Sequence, residues 1–460
     1  MGEKLETAKM PVFSRFKSET EAVMEAEKTV GAGRIRAFFD AGTFVELGAL
    51  MRRAGDENEN EGVVCGYGAL DGRLVFAFAQ DPDRMDGALS AGHARKIEML
   101  YERALSVGAP VVGFFDSRGG AVFGGAAMLS GYGRLLSLFA DARGRVPQLA
   151  VISGVCAGSM AACAALFDFT VTVKGKSRLY VCPPNLTGEP AAREDLAFTA
   201  GSEAEAFAWV RELISFLPDN ARDGAPLFET ADDLNRALAL SGHTTAKAAL
   251  SAVADGGRFF PLFAGTAGET GVGFLSLGGH STAYLSLDGA LTPAGVRKMT
   301  RMLRFAADFG VPVLHLLNAT GFAPDQKEES LAADLAALAV ELRRPHTAVC
   351  AVVGNAVGAG YIFGGTCALG AQLVLALPEA KISPLSAAAA VAFLWNDRIT
   401  PQVTRGALEE KWEKEEASPL SAAAVGEVDD IVPPAELRAR LISAFYMLTG
   451  AGEPIARRGV

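Results

Sequence analysis

The chain has 460 residues, of which 50% are hydrophobic and 21% charged, and it carries a formal net charge of -10. This length favours two domains over one, and so apolar a composition excludes a largely disordered chain. The acidic balance argues against a nucleic-acid-binding protein, because such proteins gain much of their affinity by neutralising phosphates.

The N-terminus and the cysteines indicate a protein of a reducing compartment. The first residues, MGEKLETAKMPVFSRF, contain no apolar segment of the kind that a secretory signal needs, and no apolar run in the chain reaches the ~20 residues of a membrane-spanning helix. None of the six cysteines belongs to a Cys-x-x-Cys pair, so we interpret them as small core residues and expect no metal site. We therefore expect a cytoplasmic protein.

The first half of the chain contains a helix and three apolar strands in a regular order. Apolar residues at helical spacing predict a helix over 90–108, followed by a strand within GAPVVGFFDSRGG (108–120). A second strand, VPQLAVIS (146–153), runs into GVCAGSMAAC (154–163), where small residues predict a turn into a helix. A third apolar run, FTVTVKG, covers 169–175.

The second half repeats this order. A helix is predicted over 293–310, then a strand within GVPVLHLLNATGF (310–322), in which Asn318 corresponds to Asp116 of the first half. RPHTAVCAVVGNAVGAG (344–360) parallels 146–160, so that Gly354 corresponds to Gly154 and Gly358 to Gly158. AQLVLALP (371–378) supplies the last run. Matching pairs in the same order indicate two related domains.

We place these domains at residues 1–235 and 245–460, joined by a polar stretch. Apolar strands alternating with helices predict an α/β fold with largely parallel, buried strands in each domain.

Two short segments are candidate catalytic sites: the first glycine turn, residues 157–160, and the second glycine turn, residues 357–360. At the start of a helix the backbone N–H groups have no intrahelical acceptor, and small side chains let a substrate oxygen approach them. The alternative is that the glycines only let a helix pack closely on its strand. The helices that follow carry no Asp, Glu, His or Lys, so chemistry that needs oxyanion donors more than a general base is favoured.

The chain resembles the carboxyltransferase (beta) subunits of biotin-dependent acyl-CoA carboxylases and of sodium-pumping decarboxylases. The motifs that carry the resemblance are EGVVCGYGALDGRLVFAFAQDPDRMDGALSAGHARKI (61–97), GAPVVGFFDSRGG, VPQLAVISGVCAGSM, GVRKMTRMLRFAADFGVPVLHLLNATGF and AVVGNAVGAGY. It implies two tandem crotonase-like domains, with acyl-CoA against the N-terminal domain and biotin against the C-terminal domain of a neighbouring subunit. It also implies self-association to a dimer and a hexamer.

The resemblance also assigns residues to the two sites. The backbone donors that it implies are Gly158, Ser159, Ala359 and Gly360. It places Ala157 and Gly358 beside the bound groups, and Ile362 where the choice of acyl group is tuned. Where relatives have Asp-x-Pro-Gly-Phe, this chain has Asn318-Ala-Thr-Gly-Phe, which makes it a divergent member.

A basic group before the first Gly-x-Pro strand is the candidate site for the CoA phosphates: Arg84, His93, Arg95 and Lys96. Arg and Lys bind phosphate as forks or point charges. The alternative is a solvated helix face.

The resemblance implies a carboxyl transfer between carboxybiotin on a partner carrier and a short-chain acyl-CoA, propionyl/methylmalonyl or acetyl/malonyl. The partners would be a biotin carboxyl carrier protein and a biotin carboxylase. One alternative is the carboxyltransferase subunit of a sodium-pumping decarboxylase with membrane subunits. Another is a non-catalytic scaffold subunit of such a complex.

Overall fold

A computed structural model describes residues 28–53, 56–188, 193–240, 244–323 and 328–449. The chain divides into two compact units, Met1–Glu212 and Leu213–Val460. The division lies upstream of the 235–245 linker that we predicted, and residues of that stretch pack in unit 2. Leu238, for example, is buried in the core of unit 2.

Unit 1 is built on one sheet in the order β1-β4-β5-β6-β7-β8-β10, with β9 paired to β7. Its strands are β1 (Val45–Leu47), β2 (Arg52–Arg53), β3 (Asp56–Asn60), β4 (Val63–Leu70), β5 (Arg73–Gln80), β6 (Val111–Ser117), β7 (Gln148–Ala157), β8 (Phe169–Val173), β9 (Arg178–Tyr180) and β10 (Leu196–Ala200). The pairs β1/β4 and β4/β5 are antiparallel and the rest of the main sheet is parallel, while β2 and β3 form a separate ribbon.

The helices that accompany this sheet begin and end at recognisable caps. They are α1 (Val30–Phe38), α2 (Ala91–Val107), α3 (Gly125–Ala142), α4 (Ser159–Ala164), α5 (Pro184–Thr187) and α6 (Glu203–Phe216), within which the division between the units falls. In α2 the hydroxyl of Ser90 accepts from the N–H of His93, and Gly108 ends the helix in the left-handed conformation that glycine tolerates. Ile97, Leu100 and other residues of one face of α2 are buried.

Unit 2 repeats the sheet in the order β11-β12-β13-β14-β15-β16-β18, with β17 paired to β15. Its strands are β11 (Phe259–Leu262), β12 (Thr270–Leu277), β13 (His280–Leu291), β14 (Val313–Phe322), β15 (Ala348–Val357), β16 (Leu373–Ala376), β17 (Lys381–Ser383) and β18 (Asp430–Ile431). Again the first two pairings are antiparallel and the others parallel.

The helices of unit 2 follow the same sequence and then extend it. They are α7 (Ala246–Val253), α8 (Pro293–Phe309), α9 (Glu328–Leu342), α10 (Ala359–Gly365), α11 (Ala387–Leu394), α12 (Arg405–Glu415), α13 (Pro419–Ala424) and α14 (Leu437–Thr449). Short 3-10 helices lie at Met85–Gly87, Val122–Gly124, Asp255–Gly257, Cys367–Leu369, Asn396–Arg398 and Pro434–Glu436.

The predicted α/β architecture and the internal repeat are confirmed by this topology. The predicted helices at 90–108 and 293–310 are α2 and α8, and the predicted strands are β6, β7, β8, β14, β15 and β16. The central strands are apolar because both faces are covered, as the burial of Val111, Phe114 and Phe115 in β6 shows. None of the helices in the described residues combines the length and apolar character that crossing a bilayer requires.

Candidate functional site

The first glycine turn joins β7 to α4 with one residue between them. β7 ends at Ala157, Gly158 has φ 64° and ψ -135°, and α4 begins at Ser159. The N–H of Gly158 donates to the carbonyl oxygen of Tyr180, the last residue of β9, at 3.0 Å. The turn is therefore fixed to the sheet by the amide of its glycine.

The second glycine turn has the same construction. Gly358 lies between β15 and α10 with φ 51° and ψ -123°, and its N–H donates to the carbonyl oxygen of Ser383 in β17 at 2.9 Å. Positive φ at both positions is the conformation that glycine adopts without strain. The two corresponding stretches of the repeats thus share one backbone geometry.

The next two amides of each turn are the candidate oxyanion donors. Ser159 and Met160 are the first two residues of α4, as Ala359 and Gly360 are of α10, so their N–H groups have no intrahelical acceptor. Within the described parts of the chain, no other acceptor pairs with these four amides. Such donors are available to an oxygen atom from outside the chain, either of water or of a ligand.

The predicted first pair, Gly158 and Ser159, is corrected by one residue. Because the Gly158 N–H is already bonded to Tyr180, it is not an available donor, and Met160 takes its place beside Ser159. The second pair, Ala359 and Gly360, occupies the equivalent positions in unit 2.

A partly buried carboxylate holds the strand that leads into the first turn. Asp116, next to the end of β6, accepts from the N–H of Val155 at 3.1 Å, and a Cβ added at Gly154 would lie 2.1 Å from its Oδ1. Arg34 of α1 pairs with the other oxygen of Asp116 at 2.8 Å, and its guanidinium also lies 3.3 Å from the carbonyl oxygen of Ser153. Both peptide groups flanking Gly154 are thereby positioned.

In unit 2 the contact equivalent to that of Asp116 is made by a neutral side chain. Asn318 accepts from the N–H of Asn355 at 2.9 Å, and a Cβ at Gly354 would lie 2.4 Å from its Oδ1. The Asn318 amide donates to Asp288 at 3.0 Å, whose oxygens also accept the first two N–H groups of α7. The predicted correspondence of Asp116 and Asn318 therefore reflects one shared contact to the turn.

A buried glutamine connects the first turn to α2. Gln80, at the end of β5, accepts from the N–H of Asp116 at 3.1 Å. Its side-chain nitrogen lies 3.5 Å from His93 Nε2 and 3.6 Å from the sulfur of Met160. His93 and Met160 are buried with it, so these side chains position the turn from within the core.

Two of the predicted phosphate contacts are buried and are corrected here. His93 is inaccessible, and burial lowers its pKa to about 3, so it is neutral at physiological pH. Lys96 is 3% exposed, and its ammonium pairs with Glu46 at 2.8 Å. Neither side chain can reach a CoA phosphate from inside the core.

The two predicted arginine contacts stay accessible. Arg95 is half-exposed and pairs with Glu98 and Glu102, at 3.2 and 2.8 Å. Arg84 is less exposed and lies 3.9 Å from Asp81. The four basic residues therefore do not converge on one phosphate site.

The remaining predicted residues lie at the turns. Ala157 is buried and pairs with Tyr180 across β7 and β9. Ile362 is 50% exposed on α10, and its N–H donates to the carbonyl oxygen of Gly358.

The sequence matches one family model and is similar to known proteins over nearly its whole length. A family model described as "Carboxyl transferase domain" matches residues 22–458. The propionyl-CoA carboxylase carboxyltransferase subunit of Haloferax mediterranei is 31% identical over 466 residues, covering 92% of this chain and 90% of that protein. Methylmalonyl-CoA decarboxylase subunit alpha of Veillonella parvula is 30% identical over 469 residues, covering 93% and 91%.

The fold also matches a solved structure. Transcarboxylase 12S, described as a hexamer with methylmalonyl-CoA and methylmalonic acid bound, superposes with a TM-score of 0.88 at 24% identity, over 98% of this chain and 99% of that chain. This likeness identifies the fold, two crotonase-like domains in tandem.

We predict that Gly154→Ala destabilises the chain, because the new Cβ would overlap the Asp116 carboxylate. Overpacking of this kind costs on the order of 1–3 kcal/mol, measurable as a shift in the denaturant midpoint. The matched control is Gly33→Ala in α1, where nothing lies within 4 Å and alanine should stabilise by about 0.5–1 kcal/mol. Equal effects of the two changes would contradict the close contact between Gly154 and the Asp116 carboxylate.

We also predict a pH-dependent contribution from His93. The folded-state pKa of His93, about 3, lies below the unfolded value of 6.5. The contribution of the neutral imidazole to the free energy of unfolding is therefore complete above pH 6.5 and is lost as the pH falls toward 3. At pH 5 the loss is about 2 kcal/mol. His93→Gln should flatten this slope, with a residual contribution from His315, whose pKa burial lowers to about 4. Unfolding measured from pH 7 to 5 tests this, and parallel slopes would refute it.

Proposed function

The chain belongs to the carboxyl transferase domain family, and from that premise we propose that it moves a carboxyl group between carboxybiotin on a partner carrier and a short-chain acyl-CoA. The names of two relatives, a propionyl-CoA carboxylase subunit and a methylmalonyl-CoA decarboxylase subunit, support a propionyl or methylmalonyl thioester as the acyl group.

The observation that carries the proposal is the pair of unpartnered amides in each glycine turn. Removing the carboxyl group or an α-proton from an acyl thioester places negative charge on the thioester oxygen. The amides of Ser159 and Met160 would donate to that oxygen and stabilise the enolate. Those of Ala359 and Gly360 would donate to an oxygen of the second substrate.

The second turn is packed closely on β14 and carries small side chains. Gly360 packs so closely on β14 that an added Cβ would lie 2.6 Å from the Cβ of Ala319, and Ala359 adds only a methyl group. Biotin, when bound there, would supply the carboxyl group from its ureido ring. The chain's own part is to orient that ring by donating from Ala359 and Gly360 to its carbonyl oxygen.

The positioning groups of the two turns differ in charge. Arg34, Asp116 and Glu203 form a charged triad behind the first turn, with the Arg34–Glu203 pair at 2.7 Å. They would hold the turn rigid while charge develops on the thioester oxygen, so that no reorganisation is needed during the reaction. Asn318 does the same for the second turn through a neutral amide.

Partners and peripheral contacts complete the proposal. A biotin carrier and a biotin carboxylase would supply the carboxyl group, and the chain would assemble with copies of itself into a hexamer, as described for transcarboxylase 12S. Arg84 and Arg95 are retained as phosphate contacts, and Ile362 as the side chain beside the acyl group. Purification with the carrier and measurement of the assembly's mass would test these partners.

A second candidate runs the transfer in reverse, as the carboxyltransferase subunit of a decarboxylase. The methylmalonyl-CoA decarboxylase relative, at 30% identity over nearly the whole chain, favours it. The two directions share one site, so carrier-dependent exchange of label from methylmalonyl-CoA should occur in both. Co-purification with membrane subunits would distinguish the decarboxylase.

We predict that Ser159→Pro abolishes most of the transfer. Proline lacks the N–H that we assign to the thioester oxygen, yet it is tolerated at the first position of a helix. Loss of one oxyanion donor typically lowers kcat by about 10²–10³. The measurement is transfer of the labelled carboxyl group from methylmalonyl-CoA to a biotinylated carrier.

The matched control is Ser159→Ala, which keeps the amide N–H and should keep most of the activity.

Ala359→Pro removes the corresponding N–H from the second turn and should slow the half-reaction with biotin. If Ser159→Pro were folded and as active as Ser159→Ala, the amide would have no catalytic part.

A further inference from the structure

Unit 2 contains a cavity of about 420 Å³ that shares no residue with the second glycine turn. It lies among α7, α8 and the strands β11, β12 and β13. Lys298 of α8 lines it with a side chain that is almost fully buried. The Lys298 ammonium donates to the carbonyl oxygens of Thr266 and Thr270, at 3.1 and 2.5 Å.

Lys298 corresponds to Lys96 of unit 1. Each lysine lies six residues after the N-cap of its helix, Ser90 or Thr292, and the hydroxyl of each N-cap bonds to a glutamate at or just before the second strand of the sheet. The two lysines therefore occupy the same place in the two repeats.

Of the two lysines, Lys96 is the one that forms an ion pair with a carboxylate in the described part of the chain. Glu46, in β1, pairs with it at 2.8 Å. The registers of β1 with β4 and of β11 with β12 place Pro261 where Glu46 stands in unit 1. Within the described residues, no carboxylate oxygen lies within 4 Å of the Lys298 ammonium.

A buried ammonium is costly unless an anion offsets it. Two carbonyl oxygens occupy two of its three donors and leave one. Burial lowers the pKa of Lys298 to about 8, against the attraction of Glu269, so the group stays largely protonated at neutral pH. Lys298 therefore presents a positive charge with an unused donor.

The other charged groups that face the cavity are already engaged or exposed. Glu269 accepts from the hydroxyl of Thr292, and Asp288 accepts from Asn318 and from the N–H groups at the start of α7. Lys247 is exposed. The rest of the wall is mainly apolar, formed by residues such as Leu250, Phe259, Leu262, Val272 and Tyr284.

We propose that this cavity binds a small carboxylic acid in its carboxylate form, with the carboxylate at Lys298 and the hydrocarbon chain against Phe259, Pro261 and Ala264. The volume falls within the range of small-molecule sites, and an apolar wall with a few polar groups at one end is typical of them. The site is independent of the proposed carboxyl transfer, since none of its residues belongs to either glycine turn.

The test is calorimetric titration of the full-length protein with propionate, hexanoate and decanoate, and with hexanamide as the uncharged counterpart. We expect saturable binding of hexanoate at one site per chain, at least tenfold tighter than hexanamide. Lys298→Met should weaken hexanoate binding at least tenfold. Lys96→Met removes the equivalent lysine of unit 1 and should leave binding unchanged.

A second variant distinguishes loss of binding from loss of folding. Ala264 is exposed and lines the cavity, so Ala264→Trp should obstruct it without entering the core. It should also abolish hexanoate binding while the unfolding midpoint stays that of the unmodified chain. The proposal is overturned if hexanoate does not bind, if hexanamide binds as tightly, or if either Lys298→Met or Ala264→Trp binds hexanoate as the unmodified chain does.

Discussion

One hydrogen bond fixes each candidate catalytic turn: the N–H of a glycine with positive φ donates to the last carbonyl oxygen of a short strand. Gly158 is held by Tyr180 and Gly358 by Ser383. Because this bond uses the glycine amide, the next two amides start the helix without an acceptor. The availability of those donors, and so the proposed chemistry, depends on where the short strand ends.

The two repeats keep this backbone and differ in the charges around it. Behind the first turn, Arg34 and Asp116 form a partly buried ion pair, while Asn318 makes the equivalent contact to its strand as a neutral amide. Under the helices, Lys96 pairs with Glu46, whereas Lys298 donates to two backbone carbonyl oxygens. Duplication preserved the topology, and the polar groups diverged where packing left room, including a cavity in unit 2.

Side-chain burial decided which predicted residues can act. His93 and Lys96 look like a basic face in the sequence, since they lie near Arg95 on one helix. In the fold both side chains lie on the buried face of α2, where His93 is neutral and Lys96 is paired with Glu46. The long stem of a lysine can reach a buried partner on another element, and composition does not reveal that partner.

The sequence alone was enough for the α/β class, the duplication and the positions of the glycine turns, because strand and helix periodicity and small residues are local signals. It did not reveal Arg34, Gln80 or the shift of the first donor pair from Gly158 to Met160. Arg34 lies 82 residues from Asp116, and the Gly158 amide is occupied by a strand that starts 20 residues later. Such contacts are chosen by the three-dimensional packing of distant segments, which only the tertiary structure decides.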